Sequence, residues 1–227
     1  MHELILATLA FVLGHFMLSS QALRRPLIAR LGEIGFRAAY SVTIAATFVW
    51  MLLSYAAAPA IAVIDWPLWT RWLPVATMPF ALLLAVCAYT TRNVTAVGGE
   101  SQGATRDPAP GIMRITRHPF LVGAALWAAA HLLANGDAAS LVLFGGILVL
   151  SVGGMAHIDA RRRASMGSAW GPVALTTSAV PFLALLTGRT RPDWSGIGLW
   201  RVATALGLYV LLLVLHLPLF GVSPFPA

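Results

Sequence analysis

Long stretches without a charged side chain constrain this chain more than any other feature. Seven charge-free windows run at 4–23, 38–64, 72–91, 119–136, 138–158, 164–188 and 202–227. A helix needs about 20 apolar residues to cross the hydrocarbon of a bilayer, and nearly every window is long enough. Soluble domains carry about a quarter charged residues; here 10% are charged and 59% apolar. Disorder is excluded by the same apolar content, and a disulfide scaffold by the single cysteine, Cys87. The net charge of +7 is no nucleic-acid footprint, because sparse charges between apolar runs form no basic stripe. The chain therefore reads as a polytopic membrane protein in contact with the lipid bilayer.

One window is weak. Residues 164–188 hold Pro172, Pro181, three glycines and six Ser or Thr residues. They read as an interfacial segment. The remaining windows predict an all-α fold of six transmembrane helices in a single domain. Their spans are about 4–23, 38–60, 72–91, 119–135, 138–157 and 200–220. All fifteen basic residues are Arg. With six spans, fourteen fall on one face and only Arg71 on the other. A seventh span would weaken that split to eleven against four. The positive-inside rule thus selects six spans, with both termini on the outer, periplasmic side. The first window has Glu3 where a signal peptide carries basic residues, so it reads as a retained helix.

The link Asn135-Gly136-Asp137 carries a turn signal and predicts a tight antiparallel hairpin of the fourth and fifth helices. The loop 92–118 contains Gly98, Gly99, Gly103, Pro108 and Pro110 and reads as flexible in its first half. No dinucleotide-binding or P-loop glycine pattern occurs.

Ionisable residues inside a membrane are functional candidates by default. His15, His131 and His216 fall within apolar windows, and His118 stands at the mouth of the fourth helix. No carboxylate shares the interiors of these windows, so a dimetal carboxylate site lacks its ligands. Neutral imidazoles at such positions either bond neighbouring helices or ligate a soft or borderline metal, haem iron included. His131 follows Ala124, Trp127 and Ala128 on an alanine-rich face; His15 follows Phe11 and Gly14. On straight helices the two differ in depth by about 10 Å. His216 lies nearer the depth of His131, just before Pro218, and is the alternative partner. His157 reads as an interfacial side chain beside Asp159 and the Arg161–Arg163 run.

Several motifs resemble the NnrU family of bacterial inner-membrane proteins. They are Gly14-His15 with Ser19-Ser20, Tyr40-Ser41, Arg117-His118-Pro119, Leu126-Trp127, His131 to Asp137, and His216 to Pro224. The resemblance covers essentially the whole chain. It implies a multi-pass protein associated with denitrification, through the production of active nitrite and nitric oxide reductases. The family is similar to zeta-carotene isomerase, a membrane protein with haem b. That likeness implies haem b held by His15 and His131; His216 stands as a further cofactor-binding candidate by its depth alone. The isomerase also offers a cysteine three residues before its second histidine; here that residue is Ala128. What the family relation implies about activity stays open. The resemblance implies either a haem-dependent isomerase or redox enzyme acting on a membrane-soluble substrate, or a non-catalytic accessory protein.

A further resemblance runs to isoprenylcysteine and phospholipid methyltransferases, through Gly111-Ile112-Met113-Arg114, Arg117-His118-Pro119 and Gly123. It implies S-adenosylmethionine as a cofactor and a polar pocket lined by Arg114, Arg117 and His118. Their paired acids are reduced here to Asp159. The plainer reading of Arg117 and His118 is contact with lipid phosphates.

Overall fold

The structure is a computed structural model and describes residues 1–96, 107 and 109–225. Residues 97–106 and 108 of the 92–118 loop, with Gly98, Gly99, Gly103 and Pro108, lie outside the described residues. The fold is all-α, with one isolated bridge, Ala62 to Asp137, among the described residues. The helices are α1 (His2–Ser19), α2 (Gln21–Ala56), α3 (Trp72–Thr90), α4 (Pro119–Ala134), α5 (Ala138–Met166), α6 (Trp170–Thr176), α7 (Leu183–Leu186), α8 (Trp194–Ile197) and α9 (Leu199–Phe220). Five candidate membrane spans are long and apolar enough to cross a bilayer; they contain α1, α2, α3, α5 and α9. The sixth expected span, α4, is apolar but only 16 residues long.

Local chemistry sets the helix ends. Pro119 opens α4, where its missing N–H costs nothing. Asp137 caps α5, its Oδ1 accepting the Ser140 N–H at 2.9 Å. Across the α4–α5 turn runs the segment that follows α2. The N–H groups of Val63 and Ile64 both donate to Gly136 O at 2.9 Å, and Ala138 N–H donates to Ile61 O at 2.8 Å. A side chain at Gly136 would run into the Ile64 carbonyl.

Inside α2 the backbone breaks at Gly32, with φ 71° and ψ 167°. That region is open essentially to glycine alone. The break divides an arginine-bearing helix, 21–31, from the long apolar helix 33–56.

In the bundle, α4 packs between α3 and α5, α1 packs on α2 and α5, and α9 packs on α3. Close approach depends on missing side chains. A Cβ at Gly123 of α4 would lie 2.8 Å from Ala81 O of α3, and one at Gly153 of α5 would lie 2.9 Å from the Phe16 ring of α1. Leu4, Phe11, Met51, Ala128, Leu143 and Phe144 form the core where α1, α2, α4 and α5 meet. By contrast, α2 and α3 form no packed interface.

Within 167–188 no helix exceeds seven residues. This segment folds onto the start of α4. Arg117 N–H donates to Ser178 O, Phe182 N–H to Ile115 O, both at 2.9 Å, and Thr116 Oγ1 to Ala179 O at 3.0 Å.

Candidate functional site

A cavity of about 790 Å³ lies between α1, α2, α3, α4 and α5. Each helix contributes a stripe at helical spacing. On α5 the stripe is Ile147, Leu150, Ser151, Gly154, His157 and Arg161. One end of the cavity is apolar, walled by Phe48, Leu52, Met78 and Trp127. The other end is polar, with Ser19, Arg24, Arg37, His157 and Arg161.

His15 lines this cavity and is half-buried. Its Nδ1 lies 2.8 Å from the carbonyl oxygen of Phe11, one turn earlier. A carbonyl only accepts, so Nδ1 carries the proton and Nε2 carries the lone pair. The Phe11 ring meets the imidazole edge-on at 4.6 Å, and Tyr40 stands 6.1 Å away. Ser19 Oγ donates to the His15 carbonyl and lies 3.0 Å from Nε2 of His157. With its proton used, the Ser19 oxygen accepts from His157 Nε2–H.

His131 shows the same local geometry, its Nδ1 2.8 Å from Trp127 O. Its surroundings differ. The ring stacks in a tilted arrangement 5.2 Å from Phe144 and 5.5 Å from Trp127. Trp127 lines the cavity and His131 does not. His216 is close enough to His131 to interact with it electrostatically. Its Nδ1 donates to Val222 O at 2.9 Å. The structure therefore places His15 on the cavity and His131 outside its lining. No group of three or more His, Cys, Asp or Glu stands ready to hold a metal ion among the described residues.

The three residues expected to line a polar pocket occupy two separate networks. Arg117 Nε donates to both oxygens of Asp159, at 3.0 and 2.9 Å, and fully buried His118 donates from Nε2 to Asp159 Oδ1 at 2.8 Å. The Arg117 guanidinium also lies 5.8 Å from the centre of the Trp170 ring. Arg114 instead donates to Asp107 at 3.0 Å and to Arg191 O at 3.1 Å. Beside it, Asp193 accepts the N–H of Gly111 at 2.8 Å and of Gly196 at 2.9 Å. These donors hold its carboxyl below the usual carboxylate range. A cleft of about 310 Å³ nearby is lined by Arg92 and Arg201, among others, but not by Arg114, Arg117 or His118.

The family model described as NnrU protein matches residues 3–224. The chain belongs to the NnrU family. Among curated proteins it is similar to chloroplastic 15-cis-zeta-carotene isomerases. The Zea mays protein is 36% identical over 81 residues, which are 36% of this chain and 22% of that one. The Arabidopsis thaliana protein is 35% identical over 79 residues, 35% of this chain and 22% of that one. The chain thus matches only 22% of the length of these relatives. No solved structure matches it significantly.

In this NnrU family member, two participants escaped the sequence reading. His157 was expected at the interface, yet it lines the cavity and bonds to Ser19. Its signal was available in the i, i+3, i+4 stripe along α5. Asp159 was read only as a reduced acid pair, whereas it joins Arg117 to His118. No local pattern announces a contact across 41 residues.

Proposed function

We propose that this chain is a bacterial inner-membrane NnrU protein that binds haem b in the central cavity, where Nε2 of His15 would hold the iron. On this reading it crosses the membrane six times, with its arginines in the cytoplasm and both termini in the periplasm. It supports the production of active nitrite and nitric oxide reductases.

The observation that carries the reading is the bond from His15 to the Phe11 carbonyl at 2.8 Å. Metal-ligating histidines donate their other ring nitrogen in this way, which fixes the tautomer and orients the ring. The cavity volume of about 790 Å³ suits a large flat cofactor. Phe48, Leu52 and Trp127 make one end of it apolar. Bound haem would supply redox and Lewis-acid chemistry. The chain's own part is to orient the imidazole, give the pocket an apolar end and hold the acidic edge of the cofactor.

His131 is the second ligand in this proposal, with His216 beside it as the alternative. Trp127 separates His131 from the cavity, so the Trp127 side chain must turn aside when His131 binds. The likeness to 15-cis-zeta-carotene isomerases supports isomerase or redox activity on a membrane-soluble substrate.

The test is an absorption spectrum of detergent-purified protein from haem-replete cells. A Soret band that shifts on dithionite reduction, and is lost in His15→Ala, is the expected result. A colourless preparation would overturn the haem assignment and leave an accessory role in which the histidines only pack helices.

A further inference from the structure

The break at Gly32 gathers arginines that an unbroken helix would scatter. Arg24 and Arg37 are thirteen residues apart, about 20 Å of rise on a straight helix. In the structure both guanidiniums bond the same oxygen, Oε1 of Glu33, at 2.9 and 3.1 Å. Both line the polar end of the central cavity, and Arg161 of α5 joins them there. Among the described residues lining the cavity there is no Asp or Glu. Glu33 is shared by two cations and is itself outside the lining. With Glu33 counted against the three guanidiniums, that end still carries an excess of positive charge, which focuses a positive potential there. The opposite end is aromatic and aliphatic.

This polarity selects a class of occupant. It must be a flat or elongated apolar body that carries acid groups on one edge. We propose that Arg24, Arg37 and Arg161 bind the carboxylates of the cavity's occupant, haem b by its two propionates, and so set which edge of the macrocycle faces the arginine-rich end. The inference rests on the haem reading above and deepens it, because it assigns residues that no histidine argument reaches. Guanidiniums suit this task, since their planar fork matches a carboxylate in two parallel hydrogen bonds. Glu33 keeps Arg24 and Arg37 in place before the occupant arrives.

The test uses the full-length protein from haem-starved cells, titrated in detergent with haem b and with haem b dimethyl ester. The ester keeps the iron and the macrocycle but has no acid. Wild-type protein should bind haem b about tenfold or more tightly than the ester. In the triple variant Arg24→Gln/Arg37→Gln/Arg161→Gln, haem b affinity should fall to that of the ester, while ester affinity stays at the wild-type level. The ester titration thus doubles as the folding control. Equal wild-type affinity for the two compounds overturns the arginine assignment and leaves the haem reading standing. Equal loss of both compounds in the variant also overturns it, because the arginines would then serve only the fold. Failure of wild-type protein to bind either compound overturns both readings.

Discussion

Asp159 accepts Nε of Arg117 on both carboxylate oxygens and holds Nε2 of His118 at 2.8 Å, joining α5 to the residues that open α4. The side chains of Arg117 and Asp159 are only 15% and 17% exposed. Breaking such a pair strands a desolvated charge. Asp159→Asn should destabilise the protein by about 3 kcal/mol or more. Thermal unfolding in detergent measures this, and an unchanged midpoint would show that the pair adds no stability.

Gly32→Ala should cost about 1–3 kcal/mol through the backbone alone. No atom lies within 4 Å of a Cβ built at Gly32, so crowding contributes nothing. The same substitution should move Arg24 away from Glu33. Comparing Gly32→Ala with Gly207→Ala by thermal unfolding isolates the effect, since Gly207 sits in helical backbone with open space at its Cβ; equal midpoints for the two variants would count against it.

Gly136→Ala puts a methyl group against the Ile64 carbonyl. The segment after α2 must then leave the α4–α5 turn and lose the bonds to Gly136 O and Ile61 O. The expected cost is about 1–3 kcal/mol. Limited proteolysis between residues 57 and 67 should accelerate, and an unchanged cleavage pattern would sink the prediction.

Asp193 gives a pH dependence. The Gly111 and Gly196 amides lower its pKa in the folded state. Its contribution to stability is therefore complete above the unfolded value of about 3.9. It is lost as pH falls through the folded value. Wild type should exceed Asp193→Asn in thermal stability at neutral pH, and the difference should close on acidification below about pH 4. A difference that widened in acid would contradict the assignment.

His131 and His216 are separable by spectroscopy. His131→Ala should keep bound haem but shift the Soret band, and His216→Ala should leave the spectrum unchanged. A shift confined to His216→Ala would transfer the second ligand to α9.

Apolar length carried most of the fold. The windows 72–91, 119–135 and 200–220 fall within a residue or so of Trp72–Thr90, Pro119–Ala134 and Leu199–Phe220. Helix ends among charges were harder to read. Arginine marks where a chain meets polar surroundings, but it is a good helix former and does not stop a helix. Hence α5 continues past Arg161–Arg163 to Met166, and residues 24–31 are helical although they lie between the expected spans 4–23 and 38–60. The site was legible in part. His15 stood out as an imidazole in an apolar run, and it lines the cavity. The depth offset of His131 from His15 was legible from helical rise, but that Trp127 and not His131 lines the cavity was not, because it depends on how α4 is rotated against its neighbours. His157 was masked by the arginines that follow it.

The unpacked pair α2 and α3 gives the cavity its surroundings. Phe48 and Leu52 of α2 line it yet remain 39% and 42% exposed. Part of that exposure is the cavity's own surface; in a bilayer, an opening between α2 and α3 would face acyl chains. A guest would arrive sideways, within the plane of the membrane, and its supply would be counted per lipid molecule and not per litre of water.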